Sequence, residues 1–259
     1  MRPWKLAEVN YAHVKQNEYE VAVIPIGCTE PHNLHLPYGM DNIEAETIAD
    51  EICAAAHARG AKVIELPTIP YGTVTNQGEC MLSMNVNPST LNAIVTDLVA
   101  ALFNHGVRKI VLLNSHGGNE FKPLLRELYG KTEARLFLCN WYAMVRDMRP
   151  EIFDYPDDHA GEMETSLALA YCPDLVGRNP DGTLIADDGA TAETRFGAVN
   201  EGWVSITRPW HLFTTNAGSG YPHKATADKG RELMKVIVER LAPFLVELSK
   251  AEIDERFPF

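Results

Sequence analysis

The chain has 259 residues, 46% of them hydrophobic and 22% charged, with a formal net charge of −12. This ordinary composition suits one large α/β domain over residues 1–259. An acidic chain without a Lys/Arg cluster has no electrostatic footprint for nucleic acid or an anionic membrane, which leaves a small-molecule partner. No stretch approaches the roughly 18 apolar residues of a membrane span, and the opening Met-Arg-Pro-Trp-Lys lacks an apolar signal segment. The five cysteines are scattered and unpaired in pattern, so a reducing compartment and a cytoplasmic location are expected.

The apolar run Val21–Ile26 reads as a strand buried on both faces of a parallel sheet. Asp41–Arg59 carries Ile43, Ile48, Ile52 and Ala56 at helical spacing and stops at Gly60. Lys62–Ile69 is a second strand, weakened in its second half by Pro67, and Pro70 to Asn87 is a long loop. Ser89 is expected to cap a helix running through Leu91, Ile94, Val95, Leu98 and Leu102 to Gly106. Lys109–Leu113 is a third buried strand, followed by Asn114-Ser-His-Gly-Gly-Asn119 and a helix from about Glu120 to Tyr129. Ala134–Cys139 is a fourth strand, ending at Asn140-Trp141. Repeated βαβ units imply a parallel sheet with helices on both faces. Beyond residue 150 a helix is expected over His159–Tyr171, and an irregular excursion over 178–220 with short strands at Trp203–Thr207 and His211–Thr215. A closing amphipathic helix spans Ala225–Lys250.

Three segments concentrate metal-binding chemistry. The stretch Gly27-Cys-Thr-Glu-Pro-His-Asn-Leu-His-Leu-Pro-Tyr-Gly-Met-Asp41 offers Glu30, His32, His35 and Asp41 directly after the first strand. His116 follows the third strand, and Gly117 and Gly118 let the backbone pass close to a bound ion or substrate. His159-Ala-Gly-Glu-Met-Glu-Thr-Ser166 adds His159, Glu162 and Glu164. Parallel sheets collect ligands at the carboxyl ends of their strands, so the first two segments share an edge. Carboxylate and imidazole donors together suit Zn, Mn or Fe. Each segment has a plain reading by itself: a polar loop, a packing histidine, acidic residues favoured in a first helical turn. Cys28 reads as a small packing residue rather than a nucleophile. Their conjunction points to a metal centre.

These residues resemble the creatininase (creatinine amidohydrolase) family. Gly27, Glu30, His32, His35, Leu36, Pro37 and Asp41 stand in its opening Gly-x-x-Glu-x-His-x-x-His-Leu-Pro-x-x-x-Asp, and Asn114–Asn119 in its Asn-x-His-Gly-Gly-Asn. His159–Ser166 match His-Ala-Gly-x-x-Glu-Thr-Ser, and Pro222, Ala225 and Gly230 match a late Pro-x-x-Ala-x-x-x-x-Gly. The resemblance implies a three-layer α/β/α sandwich with a mostly parallel sheet, a two-metal site and a homo-oligomer, often a hexamer. Carried over, Glu30, Asp41 and His116 would hold one divalent ion, and His32 with the bridging Asp41 the second. Creatinine hydrolases supply the remaining carboxylate two residues after the His116 position, where this chain has Gly118. Glu164 is then the expected ligand, as in members with the His-Gly-Gly-Asn form.

The chain departs from the family on the substrate side. Pro31-His32-Asn33-Leu34-His35 replaces the usual Gln-His-Gly-Pro-His, no histidine stands between His57 and His105, and the tryptophan before the His-Ala-Gly segment is absent. The resemblance therefore implies a metal-dependent hydrolase of a cyclic amide or other non-peptide C–N bond, but a poor creatininase. His159 is expected to shuttle a proton to the leaving nitrogen, with Glu162 as the second candidate. His35 should orient the ligand loop, and Trp141 should either wall the pocket or pack in the core. Formamide deformylase, small-peptide amidase, and metal-assisted isomerase or lyase action on a sugar-like substrate are the competing readings.

Overall fold

The computed structural model describes residues 1–259, the side chains of Asp157 and Asp158 excepted. Strands β1 (Val21–Ile26), β2 (Val63–Glu65), β3 (Lys109–Asn114) and β4 (Arg135–Asn140) form one parallel sheet in the order β2-β1-β3-β4. Ile26 is in register with Asn114, and Asn114 with Asn140, so these strands end level. The loops leaving β1 and β3 therefore emerge side by side.

Five long helices cover the sheet: α1 (Met40–Ala58), α2 (Pro88–Asn104), α3 (Lys122–Leu128), α4 (Glu162–Tyr171) and α5 (Ala227–Lys250). The pleat sends alternate residues to opposite faces. Val21 and Val23 pack with Ile48 and Ile52 of α1, Leu167 of α4 and Ile237 of α5. Ala22, Ile24 and Ile26 pack with Leu91, Val95 and Val99 of α2 and Leu124 of α3. The result is the expected three-layer α/β/α sandwich. Each fully buried aliphatic side chain contributes about 1.5–3 kcal/mol, so the site rests on a rigid base. The last helix comes close to α4 because residue 230 is glycine. A Cβ there would collide with the Ser166 carbonyl.

Several boundaries differ from expectation, each for a local reason. Strand β2 ends at Glu65, two residues before Pro67, which has no N–H to give a ladder. Asn87, not Ser89, precedes the first turn of α2, with Pro88 at the position where a missing N–H costs nothing. His159 lies outside α4: it ends β5 (Asp157–His159), which pairs antiparallel with β6 (Ser219–Gly220). Ala160 has a φ of +52°, which a right-handed helix cannot contain. The strands expected at Trp203–Thr207 and His211–Thr215 do not form; Trp210–Phe213 is a single helical turn. Among the described residues, no helix is long and apolar enough to cross a membrane.

Candidate metal centre

The loop after β1 folds back on itself through an isolated His32–Leu36 bridge and a Glu30 N–H bond to the Tyr38 carbonyl. This turns Glu30, His32 and the first turn of α1, with Asp41, towards the loop after β3. All three are buried, as are His116, His159 and Glu164. Asp41 stands at the centre: its Oδ1 is 3.1 Å from His32 Nε2 and its Oδ2 is 3.1 Å from His116 Nδ1. Glu30 Oε1 lies 2.9 Å from His116 Nδ1 and 3.8 Å from His159 Nδ1. Glu164 Oε2 is 3.9 Å from His32 Nε2 and accepts the Ala160 N–H at 2.6 Å. All five predicted ligands converge, with His159 beside them.

The tautomers of three imidazoles follow from their outer partners. His32 Nδ1 donates to the Glu30 carbonyl at 3.0 Å, His116 Nε2 to the Thr73 carbonyl at 2.9 Å, and His159 Nε2 to the Pro31 carbonyl at 2.9 Å. A carbonyl oxygen can only accept, so the proton of each neutral ring sits on its outer nitrogen. The inner nitrogens then present lone pairs to carboxylate oxygens, Glu30 Oε1 and Asp41 Oδ2 among them, which have no hydrogen-bond partner. Buried acceptors facing buried acceptors fit a cation held between them, with the outer bonds orienting each ligand. Ligand atoms lie within 4.8 Å of one another in three sets: Cys28, Glu30, Asp41 and His116; His32, Asp41 and Glu164; Glu30, His32 and His159.

The same carboxylates also favour a proton on the inner nitrogens of His32 and His116, which a metal ion would have to displace. Burial alone would lower His32, but Asp41, then Glu164 and Glu30, outweigh it and hold the imidazole up at about 9. Burial is likewise overcome at His116, chiefly by Glu30, and its pKa rises well above the usual range. Glu164 is pushed up to about 7, first by burial and then against the attraction of His32. Asp41 is held below the ordinary carboxylate range by His32 and His116 despite its burial. The cluster draws in positive charge. Burial, joined by Glu30 and Asp41 and opposed by His116, raises the Cys28 thiol above its ordinary range and keeps it protonated, as a packing residue should be.

Other expected site residues fall elsewhere. Glu162 turns away from the cluster: its carboxylate pairs with Lys229 and accepts the N–H groups of Asp154 and Tyr155. Two residues apart on a helix, Glu162 and Glu164 project on opposite sides. Trp141 is a core residue, its indole N–H bound to Ser115 Oγ at 2.8 Å. His35 bonds Thr165 Oγ1 at 2.8 Å and so ties the loop after β1 to α4. Gly117 and Gly118 line the cleft. Residue 118 cannot carry a side chain here, because a Cβ would collide with both the Thr73 carbonyl and His116 Nε2.

Sequence reasoning missed two contributors. Gln77 is buried and donates to Glu30 Oε2 at 2.6 Å, leaving Oε1 to face the cluster. It stands in the loop that lacks the family's usual histidine, the one signal that could have marked it. Trp210 packs edge-on against His159, with ring centres 4.9 Å apart, and lines the cleft. The cleft holds about 660 Å³, an ordinary size for a small-molecule site.

The family model described as "Creatinine amidohydrolase" matches residues 7–245. Similar curated proteins include the 3-dehydro-scyllo-inosose hydrolase of Thermotoga maritima, 26% identical over 61% of this chain and 52% of its own length. The creatinine amidohydrolase of Pseudomonas putida is 28% identical over 60% of this chain and 66% of its own length. The matched segments thus span about half to two-thirds of these relatives. The mycofactocin precursor peptide peptidase of Mycobacterium tuberculosis is 28% identical over 84% of this chain and 81% of its own length. Among solved structures, a Bacteroides fragilis protein provisionally named a creatinine amidohydrolase superposes with a TM-score of 0.90 at 35% identity, covering 98% of this chain and 100% of its own. Creatininases solved in Mn and Zn–Zn forms give TM-scores of 0.74 and 0.73 at 21% identity, over 96% and 95% of this chain and 99% and 98% of theirs. With the matched family model spanning nearly the whole chain, this protein belongs to the creatininase family.

Proposed function

We propose that this protein is a metal-dependent amidohydrolase that opens a cyclic amide or another non-peptide C–N bond. The observation that carries the reading is the shared carboxylate of Asp41, one oxygen facing His32 and the other His116. Glu30, Asp41 and His116 would hold one divalent ion, and His32, Asp41 and Glu164 a second. Nitrogen and oxygen donors accept Zn, Mn or Fe alike, and the Mn and Zn–Zn creatininases support that range. Divalent ions in such a pair supply Lewis acidity, lowering the pKa of water and polarising a carbonyl.

The protein's own part is to place and move protons. His159 fixes its Nε2–H on the Pro31 carbonyl and turns Nδ1 into the cleft. Burial, then the neighbouring His32, lowers its pKa and keeps the ring neutral near pH 7. Neutral Nδ1 can accept the proton of the attacking water and return it to the leaving nitrogen as the C–N bond breaks. Trp210 on the edge of the ring limits its rotation. The test is elemental analysis combined with a screen of cyclic ureides, lactams and formamides for amine release. Turnover of none of them by the metal-loaded protein would reject the reading.

The likeness to a peptide peptidase over 84% of this chain supports a second reading, a small-peptide amidase acting through the same residues. Short peptides in the same screen separate the two. Creatinine itself should be a poor substrate, with kcat/KM below about 10⁴ M⁻¹s⁻¹. Gln77 stands in the loop where many family members carry a histidine, and no tryptophan directly precedes His159. We also infer self-association, since Met81, Leu82, Trp203 and Leu212 are each more than two-thirds exposed; size-exclusion chromatography with light scattering would show a monomer if this is wrong. A cytoplasmic location belongs to the same proposal.

A further inference from the structure

We infer that Asn119 is a positioning residue for the metal centre. It sets the His116 ring through the backbone of Thr73, and so governs how tightly an ion beside Glu30, Asp41 and His116 is held. The inference rests on the metal reading for the ion and on separate contacts for the residue. Asn119 is buried, three residues beyond His116 in the turn after β3. Its Oδ1 accepts the Thr73 N–H at 2.9 Å, and its Nδ2 donates to Asn114 Oδ1 at 3.0 Å and to the Gly27 carbonyl at 3.3 Å. One amide thus joins the end of β3, the start of the loop after β1, and the loop 70–87. Reversing that amide would set its oxygen against two acceptors and its nitrogen against a donor, so the hydrogen bonds fix which way it points.

Thr73 passes the constraint on. Its carbonyl accepts the Nε2–H of His116 at 2.9 Å, which turns Nδ1 towards Glu30 and Asp41. The peptide unit bearing that carbonyl is pinned at its other end, where the Val74 N–H donates to Asn85 Oδ1 at 2.9 Å. Asn119 pins the peptide unit before it. Peptide units are planar, so holding the two that flank Thr73 leaves its carbonyl one direction. The approach is close: a Cβ on residue 72 would lie 2.7 Å from Asn119 Oδ1, and glycine stands there. Asn114 holds the backbone of the same histidine, accepting its N–H at 3.3 Å and donating to its carbonyl at 2.8 Å.

The same loop reaches a second ligand through Gln77, which donates to Glu30 Oε2 at 2.6 Å. Both contacts, Thr73 on His116 and Gln77 on Glu30, fall on ligands of one ion. The affinity of a metal site depends on how well its ligands are oriented by their outer partners. Loss of Asn119 should therefore weaken the ion at His116 more than a neighbour held by His32, Asp41 and Glu164.

The test is zinc binding against a calibrated chelator, followed by the imidazole nitrogen NMR signals so that His116 and His32 report separately. In N119A the affinity at His116 should fall roughly 10- to 100-fold, the usual cost of removing a group that orients a ligand. The Nε2–H of His116 should exchange faster, while the outer N–H signals of His32 and His159 stay as in the wild type. N119D keeps an oxygen for the Thr73 N–H but sets a second one against two acceptors. It should lower the melting temperature and yet retain most of the affinity at His116. N85A changes an exposed side chain and should weaken zinc at His116 in the same direction; should N119A not fold, N85A decides alone. Wild-type affinity in these alanine variants would overturn the inference. So would an equal loss at His116 and His32, or a loss in N119D as deep as in N119A, because affinity would then follow stability rather than the Thr73 bond. A wild type that takes up zinc but releases amine from no amide would reject the hydrolase reading and leave the inference standing. One that takes up no zinc would end both.

Discussion

Glu162 and Glu164 open the same helix, both buried, and end in opposite company. Glu162 meets Lys229 and two backbone N–H groups, so its charge is answered from within the chain. Glu164 meets one backbone N–H and the His32 ring, and beyond them the carboxylates of Asp41 and Glu30. A buried carboxylate is costly unless it is paired. The Glu162 region is a finished structural ion pair. The Glu164 region is a set of donors whose balance calls for cations from outside the chain. Burial alone therefore does not distinguish a structural carboxylate from a functional one; the identity of the compensating charge does.

The comparison is broken most sharply at Asp41. Asp41→Ala should leave no measurable turnover and a metal content near zero by elemental analysis, because one carboxylate serves both sides of the cluster. A variant retaining both ions would end the bridging assignment. His159→Ala should lower turnover by roughly 10²–10⁴ while metal content stays constant, the range for a lost general acid or base. Metal loss in that variant would make His159 a ligand instead, which its 3.8 Å approach to Glu30 allows. Gln77→Ala should weaken metal affinity roughly 10- to 100-fold, as expected when the partner orienting a ligand is removed; competition with a calibrated chelator measures it.

On the structural side, Lys229→Met should leave metal affinity alone and destabilise the fold by about 1–3 kcal/mol. That is less than the roughly 3–5 kcal/mol of a fully buried pair, because the Lys229 side chain is 21% exposed. Thermal unfolding with and without metal would show it, and a loss of metal affinity would contradict the separation of the two regions. The smallest effect is expected at Glu65, where burial, opposed by Lys5, holds the carboxyl up at about 7. A raised folded pKa favours the protonated form in the fold. Its contribution is therefore complete below the model-peptide value of about 4.3 and is lost as the pH rises through 7. Glu65→Gln should flatten the decline in stability over that window; an unchanged slope would show that another group causes it.

The sheet and the ligands were legible because each depends on local pattern. Val21–Ile26 and Lys109–Asn114 are continuous apolar runs, and every ligand but Glu164 lies in a short segment at the end of one of them. Level strand ends do the rest. Trp210 and Gln77 were not legible, because their place in the cleft depends on how long loops pack, and loop sequence carries no period from which to read that. Trp141 stayed open between pocket wall and core for the opposite reason. It sits at the end of β4, where sites gather, but its indole N–H finds Ser115 in the core. Glu162 and Glu164 were separable only through helix geometry, once the start of α4 was known.

The glycine at position 118 has a consequence for how the chain is tied together. The resemblance implies that creatinine hydrolases take the corresponding carboxylate from the turn that already carries the histidine. Here a side chain at 118 is excluded by the Thr73 carbonyl and His116, and the candidate carboxylate, Glu164, lies on α4, far along the chain from His32 and Asp41. An ion held by His32, Asp41 and Glu164 would act as a removable cross-link closing a very long loop, where loop-closure entropy is largest. Chelation should then reach beyond the cleft: amide exchange would quicken first in β5 and α4, whose attachment to the ligand loop would rest on His35–Thr165 and the His159–Pro31 bond.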